Sequence, residues 1–289
     1  WDRDEITKTP GIPRESVDAV SATATEPGIA RLSSMAAWAL LPRAGTEPVL
    51  QMVVRARTRM PLQSDFLGAA ALGIQNVMCL SGDHQTFGNQ PGAMGVFDLD
   101  SIQFVATVKK MRDESVILGG DPLTSAPPMF IGAAANPFAD PLPFRVTRLA
   151  KKIKAGADFI QTQCIFNLPR FKEFMTMVRD RGLDRQVAIL GGITPIKSVG
   201  MAKYMAEKVA GMDVPPEIIA RINGVPKKNQ RDEGLKVCQE TIQALREIEG
   251  VRGIHIMAIE WEEAVPQIVK EAGLLPRPAV SGDGGPHAG

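Results

Sequence analysis

Short apolar runs alternate with amphipathic segments along most of the chain. Seven runs show no alternation of polar and apolar positions, which is typical of strands buried on both faces. Between them apolar residues recur every three or four positions, as in helices that pack one face on a sheet. The predicted strands span residues 16–25, 48–54, 76–80, 129–135, 159–166, 187–193 and 253–259. The predicted helices span residues 31–42, 62–72, 98–112, 142–154, 168–181, 230–249 and 262–272, and a further one begins at Pro195.

Strands that alternate with helices predict a parallel α/β sheet, and a (β/α)8 TIM barrel accounts best for their number. Such a barrel needs one strand more than these runs supply, so we expect the first strand to precede Trp1. A doubly wound open sheet is the alternative, although no GxGxxG follows the first predicted strand. We expect one catalytic barrel domain over residues 1–279 and a flexible Gly-rich tail over residues 280–289.

Composition excludes several classes of protein. The net charge of +1 and the aromatic content of 5% argue against a nucleic-acid or anionic membrane surface. The three cysteines, Cys79, Cys164 and Cys238, lie far apart, so we expect neither a zinc site nor a disulfide framework, and no metal. No apolar run approaches the roughly 20 residues of a membrane span, and no signal peptide is visible, which favours a cytoplasmic protein.

Polar side chains recur at or near the C-terminal ends of the predicted strands. In parallel α/β folds, ligands bind at that edge of the sheet. A buried amide or carboxylate without a partner costs roughly a few kcal/mol, and a ligand can supply the partner. The residues are Thr23, Gln51, Asp83, His84, Asn136, Gln161, Gln163, His255 and Glu260.

Each of these residues also has a structural interpretation. Asp83 could cap the turn after its strand, and a single glutamine could bond to a neighbouring strand. His255 lies in an apolar strand and is interpreted as a core histidine, and Cys164 as a packed thiol. No Ser/His/Asp order and no reactive cysteine signature is present. The set therefore suits the orientation of a neutral heterocyclic ligand and of a cofactor that supplies the chemistry.

Three segments carry a family resemblance. They read LGIQNVMCLSGDHQTFG at 72–88, IKAGADFIQTQCIFN at 153–167 and AILGGITPIKSVGMAKYMAE at 188–207. Together they resemble the methylenetetrahydrofolate reductase family, flavoenzymes on a β/α barrel, and the resemblance runs from about residue 17 to 275. The chain is similar to the short reductases of acetogens and related anaerobes. The implied reaction reduces 5,10-methylenetetrahydrofolate to 5-methyltetrahydrofolate by hydride transfer from a reduced flavin, in one-carbon metabolism.

The resemblance also implies roles for single residues. Asp83 matches the family's acid beside the flavin and the pterin, and is the expected catalytic residue. Gln163 matches a glutamine that positions folate, and Arg221 stands on a segment near folate where a glutamine is usual. Lys152 matches a lysine that meets the flavin phosphate, as a lone cation in an amide-rich site. The remaining flavin-contacting positions are Thr23, Gln51, His84, Ala134 and Asn136.

Cofactor and partners follow from the same resemblance. FAD is the expected flavin, with FMN as the alternative. The electron donor is either NAD(P)H or a ferredoxin or partner subunit that contains zinc or an iron–sulfur cluster. A homo-oligomer is left open. The family's first strand carries a glutamate that protonates N10 of folate, and we expect that strand before Trp1. The alternative functions are a folate-binding subunit and a corrinoid/folate methyltransferase-like barrel in a methyl-transfer complex.

Overall fold

The computed structural model describes residues 13–22, 28–40 and 47–277. These residues form one sheet of seven parallel strands, each hydrogen-bonded to the next one along the chain. The strands are β1 Ala19–Ala22, β2 Glu47–Val53, β3 Asn76–Leu80, β4 Phe130–Ala135, β5 Phe159–Cys164, β6 Ala188–Ile193 and β7 Val251–Ile256. The strand order never reverses, which is the order of a β/α barrel, whereas a doubly wound sheet reverses at a switch point. The predicted barrel architecture is thereby confirmed, and within the described residues β1 and β7 are the edge strands.

Nine α-helices lie in the described part of the chain, and most of them connect consecutive strands. They are α1 Ser34–Leu40, α2 Arg59–Ala71, α3 Ser101–Glu114, α4 Leu142–Ala155, α5 Leu168–Asp180, α6 Val199–Lys208, α7 Pro216–Asn223, α8 Gln230–Arg246 and α9 Val265–Glu271. None of the helices found in these segments has the length and apolarity that crossing a bilayer requires.

Several predicted elements differ from the observed ones by a few residues at their ends, and three differences involve a 3-10 turn or a helix cap. The first predicted strand is shorter, because a 3-10 helix at Arg14–Ser16 precedes β1. The helix predicted at Pro195 is wrong: α6 begins at Val199, since the Ser198 side chain accepts a hydrogen bond from the backbone of Met201 and caps the helix there. The last helix begins as a 3-10 turn at Glu262–Ala264. Thr23 and the tail at 280–289 lie outside the described residues.

The two faces of the sheet have separate apolar cores. The outer face packs against the helices, where Leu50, Ile131 and Ile160 are buried at 1% exposure or less. The inner face carries a smaller cluster of Val49, Met78 and Phe159. Side chains two positions apart along a strand share a face. The next inward positions towards the C-terminal edge are therefore Gln51, Leu80 and Gln161, so polar side chains enter the inner face on β2 and β5.

Candidate active site

A cavity of about 320 Å³ opens above the inner cluster, at the C-terminal ends of the strands. This size lies within the range of small-molecule pockets. Its walls come from five of the strands and from helix α4, so no single segment defines it. Four amides line it, together with three cations, one histidine and an apolar base: Gln51, Asn136, Gln161, Gln163, Arg145, Arg148, Lys152, His255, Met78, Leu80 and Met257.

Two of the amides face the cavity without a protein partner. The side chains of Gln51 and Gln161 form no hydrogen bond with any described residue, although Gln161 is only 8% exposed. Their polar atoms are accessible from the cavity rather than enclosed in the core. These glutamines therefore leave donors and acceptors for a ligand that carries complementary polar edges.

An irregularity in β5 sets the direction of the other glutamine. The register between β5 and β6 shifts between Gln161 and Cys164, as in bulges that re-aim side chains near active sites. The Gln163 side chain accepts a hydrogen bond from the Cys164 backbone at 2.9 Å, which fixes its orientation at the cavity wall. Gly192 permits the shift, because a Cβ there would lie 2.3 Å from the Thr162 carbonyl oxygen.

One wall of the cavity is cationic. Arg145, Arg148 and Lys152 follow each other at spacings of three and four on α4, and so project from one face of the helix. Arg145 donates to the carbonyl oxygens of Ala139 and Asp140 at 3.1 and 2.9 Å, and Lys152 donates to that of Ala134 at 2.5 Å. No carboxylate among the described residues lines the cavity, so this wall is suited to a bound anion.

Lys152 shows how strongly the wall lacks negative charge. Burial, followed by the nearby charge of Arg148, lowers the pKa of its ammonium group from 10.5 to about 8, against weaker opposing effects of Asp100 and Cys79. An anion bound beside Lys152 would restore the ordinary pKa. The wall therefore favours a bound anion.

His255 lies in β7 among buried groups, as expected for a core histidine, and it also lines the cavity. Burial lowers the pKa of the imidazole to about 4. The ring is therefore neutral near pH 7, with one nitrogen as a donor and the other as an acceptor. Apart from the cationic wall, the cavity presents neutral polar groups.

Comparison with known proteins identifies the family. The family model described as methylenetetrahydrofolate reductase matches residues 14–273, nearly the whole described chain. The chain belongs to the methylenetetrahydrofolate reductase family. The match includes every strand of the sheet and each helix that contributes to the cavity.

Individual relatives agree with this membership. The chain is 26% identical over 220 residues to methylenetetrahydrofolate reductase 2 of Schizosaccharomyces pombe, covering 72% of the chain and 33% of that protein. It is 24% identical over 251 residues to a probable methylenetetrahydrofolate reductase (NADPH) of Caenorhabditis elegans, covering 84% of the chain and 34% of that protein. The chain thus spans about a third of the length of these relatives.

A solved structure shares the fold. It is an uncharacterised protein from Clostridium thermocellum that binds two copies of 5-methyl-5,6,7,8-tetrahydrofolic acid. The TM-score is 0.62 at 14% sequence identity, over 94% of this chain and 90% of that one.

Five of the nine site residues expected from the methylenetetrahydrofolate reductase resemblance line the cavity. They are Gln51, Ala134, Asn136, Lys152 and Gln163. Arg221 does not: it lies on α7 and forms ion pairs with Glu233 at 2.6 Å and Glu240 at 2.5 Å. Thr23 lies outside the described residues.

Asp83 and His84 also lie outside the cavity wall, just past its rim at Leu80. Gly82, with a φ of +79°, turns the chain there, and the Arg55 side chain donates to the backbone oxygen of Asp83. Partial burial raises the pKa of the Asp83 carboxyl, against the opposing charge of Arg55. The next turn is capped by His84, whose side chain accepts from the Thr86 backbone at 3.3 Å. Asp83 is therefore not the cap of that turn.

The sequence interpretation missed part of the cavity. The description of Lys152 as a lone cation is wrong, because Arg145 and Arg148 stand beside it. Their spacing along α4 was the available signal. The interpretation of Cys164 as a packed thiol is confirmed, since the residue is fully buried and burial raises the pKa of its thiol to about 12. Within the described residues, no cluster of three or more His, Cys, Asp or Glu side chains could hold a metal ion.

Proposed function

We propose that this protein catalyses the flavin-dependent reduction of 5,10-methylenetetrahydrofolate to 5-methyltetrahydrofolate. The observation that carries the proposal is the cavity itself, which is lined by both a cationic wall and unpartnered amides at the C-terminal edge of the sheet. Membership of the reductase family supports the reaction type, and members of this family are generally flavin-dependent. The related Clostridium thermocellum fold, which binds a methylated folate, supports the class of substrate.

The cationic wall would hold the cofactor. Arg145, Arg148 and Lys152 lack carboxylate partners in the cavity, and a flavin's phosphate would compensate their charge. When bound, the flavin supplies the hydride chemistry that no side chain of the protein can perform. We propose FAD, which carries two phosphates for these three cations, with FMN as the alternative.

The amides would orient the heterocycles. Gln51 and Gln161 have free donors and acceptors, and Gln163 stands at the cavity wall beside them. Pterin and isoalloxazine rings both present alternating donors and acceptors along one edge, which amide side chains can match in pairs. The neutral His255 adds one donor and one acceptor without adding charge.

Asp83 would act from the rim of the cavity. Partial burial raises the pKa of its carboxyl group, against the opposing charge of Arg55, so this acid differs from an ordinary exposed aspartate. We propose that Asp83 hydrogen-bonds the pterin and disfavours negative charge on the reduced flavin. We also propose that electrons come from NAD(P)H or from a partner subunit.

The experiment separates catalysis from mere folate binding. Purified protein is reconstituted with FAD or FMN, and the retained flavin is identified by mass after denaturation. Turnover of 5,10-methylenetetrahydrofolate is then measured with a chemical reductant for wild type, Asp83→Asn and the control Asp121→Asn, which lies on an exposed loop far along the chain. We expect a loss of about 100-fold or more for Asp83→Asn, as for the removal of a charged hydrogen-bonding group beside the reacting atoms, and wild-type rates for the control. Folate binding without flavin would favour a methyltransferase-like barrel and overturn the proposal.

A further inference from the structure

The loop between α6 and α7, residues 209–215, lies against the active-site cavity. We call it the α6–α7 loop. The carbonyl oxygen of Ala210 in this loop accepts a hydrogen bond from the Gln163 side chain at 3.4 Å. Gly211, with a φ of +80°, packs on Asn136, since a Cβ at Gly211 would lie 2.0 Å from the Asn136 amide nitrogen. Because Gln163 and Asn136 both line the cavity, the loop contacts the site through two of its amides.

The other side of the α6–α7 loop packs on a small apolar core of its own. Val209 and Met212 contact this core, which is separate from the main core between the sheet and the helices. Its buried members come from the loop, from helices α6, α7 and α8 and from the segments after β5 and β6: Cys164, Phe166, Ile196, Ala202, Met205, Val214, Ile222 and Val237. The position of the loop relative to the cavity therefore depends on the polar contacts that join the two.

One of these polar contacts, between Asn167 and Asp213, joins the loop to the segment after β5. The Asn167 amide nitrogen donates to the Asp213 carboxylate at 2.8 Å. The Asn167 oxygen is already in use, because it accepts from the Arg170 backbone at 3.0 Å and caps α5. The cap thus directs the amide nitrogen towards Asp213, where a charged acceptor strengthens the hydrogen bond. We call this pair the loop anchor.

The α6–α7 loop also determines which way the Gln163 amide faces. A primary amide has two donors and two acceptor lone pairs. The backbone N–H of Cys164 occupies one acceptor, and the Ala210 oxygen occupies one donor. A flipped amide would place its NH2 group against the Cys164 N–H and its oxygen against the Ala210 oxygen. The orientation of Gln163 is therefore fixed from both ends, which leaves one donor and one acceptor for a ligand.

We propose that Asp213 is a positioning residue for the folate substrate. Through Asn167 it holds the α6–α7 loop against the cavity, and the Ala210 oxygen of the loop holds the Gln163 amide in the orientation that the pterin meets. The inference rests on the proposed function, which places the pterin beside Gln163. Asp213 is not among the residues that line the cavity. Its loss should therefore weaken substrate binding and leave the chemical step at saturating substrate unchanged.

Three variants separate the loop anchor from the cap of α5. Asp213→Ala removes the acceptor of the anchor. Asn167→Asp keeps a side chain that caps helices well, but it sets two carboxylates against each other. Asn167→Asp combined with Asp213→Asn exchanges the amide and the carboxylate, so that the hydrogen bond can form again. The control is Glu207→Ala, which removes one negative charge from an exposed position of α6.

The test measures affinity and turnover separately. Dissociation constants for 5-methyltetrahydrofolate are determined by equilibrium dialysis on the flavin-reconstituted full chain, and kcat for 5,10-methylenetetrahydrofolate is measured with a chemical reductant. We expect Asp213→Ala and Asn167→Asp to bind folate about tenfold more weakly, as for the loss of one hydrogen bond. Their kcat and flavin content should stay within about twofold of wild type, because only substrate binding is affected. The exchanged pair should return to within about threefold of wild-type affinity, and the control should bind as wild type does.

Several results would overturn the inference. Wild-type affinity in Asp213→Ala would show that the loop anchor does not position Gln163. An equal loss in Glu207→Ala would reduce the effect to net charge. A parallel loss of flavin content and of the urea unfolding midpoint, or an exchanged pair as weak as Asn167→Asp, would leave Asp213 with a structural role alone. A wild-type protein that binds folate without reducing it would overturn the proposed function, while the affinities still test the loop anchor. A wild-type protein that binds no folate would overturn both.

Discussion

Lys152 offers the most quantitative test of the cationic wall. Its pKa is lowered from 10.5 to about 8 because the ammonium group is buried beside Arg148. The unfolded chain keeps this proton up to its ordinary pKa, whereas the folded protein without a bound anion releases it near pH 8. Below pH 8 the folded protein therefore holds a charge in an unfavourable place. We predict that Lys152→Met stabilises the ligand-free protein below pH 8.

The size of this effect follows from the pKa. Each pKa unit corresponds to about 1.4 kcal/mol, so the decrease from 10.5 to about 8 amounts to roughly 3 kcal/mol. The hydrogen bond from Lys152 to the Ala134 oxygen is lost in the variant and offsets about 1 kcal/mol of the gain. The gain of the variant should vanish as the pH rises from 8 towards 10.5, because wild type then loses its penalty. Flavin binding should favour wild type over the variant. The affinity of Lys152→Met for flavin should be about 10- to 100-fold lower than that of wild type, as for a removed charged hydrogen bond.

The assay is urea unfolding of flavin-free protein between pH 6.5 and 10. Wild type is compared with Lys152→Met and with Lys154→Met, a control on the exposed side of the same helix. The comparison between variants cancels the titration of other groups, including the buried cysteines. A stability difference between wild type and Lys152→Met that does not change with pH would refute the reasoning, and so would an equal pH dependence in the control.

Three further predictions concern other groups of the cavity. Gln161→Leu should leave the free energy of unfolding of the ligand-free protein unchanged or higher, because an unpartnered amide disappears, while flavin titration shows weaker binding. Gly192→Ala should cost about 1–3 kcal/mol in chemical denaturation and lower the flavin content, because its Cβ would meet the Thr162 oxygen. Wild type should lose stability as the pH falls from 6.5 to 4, because the unfolded chain protonates His255 near pH 6.5 and the folded protein only near pH 4. His255→Asn should lack this loss in acid unfolding curves.

Much of the fold could be predicted because buried parallel strands have a simple pattern. β3 and β6 lie at or within one residue of their predicted ends, since each is a continuous apolar run. The start of α6 could not be located in this way. Pro195 is favourable at the first turn of a helix, but the Ser198 cap determines the actual start.

The candidate site was predictable only where strands contribute to it. Gln51, Asn136 and Gln163 stand at strand ends, and the ends of parallel strands must meet at one edge. Arg145 and Arg148 reach the cavity from a helix, and their position depends on how α4 rotates against the sheet. That rotation is set by tertiary packing, which a local pattern does not contain.

The most direct test of the central claim is an anaerobic half-reaction. Protein reconstituted with oxidised flavin is mixed with 5-methyltetrahydrofolate, and the visible absorbance of the flavin is followed. The account predicts bleaching of the flavin with formation of methylenetetrahydrofolate, because the reduction must run in reverse on the same cavity. It also predicts much slower bleaching in Asp83→Asn. Two results would contradict the account. In the first, the protein binds no flavin. In the second, the bound flavin stays oxidised at saturating 5-methyltetrahydrofolate, and the reduced flavin does not react with methylenetetrahydrofolate either.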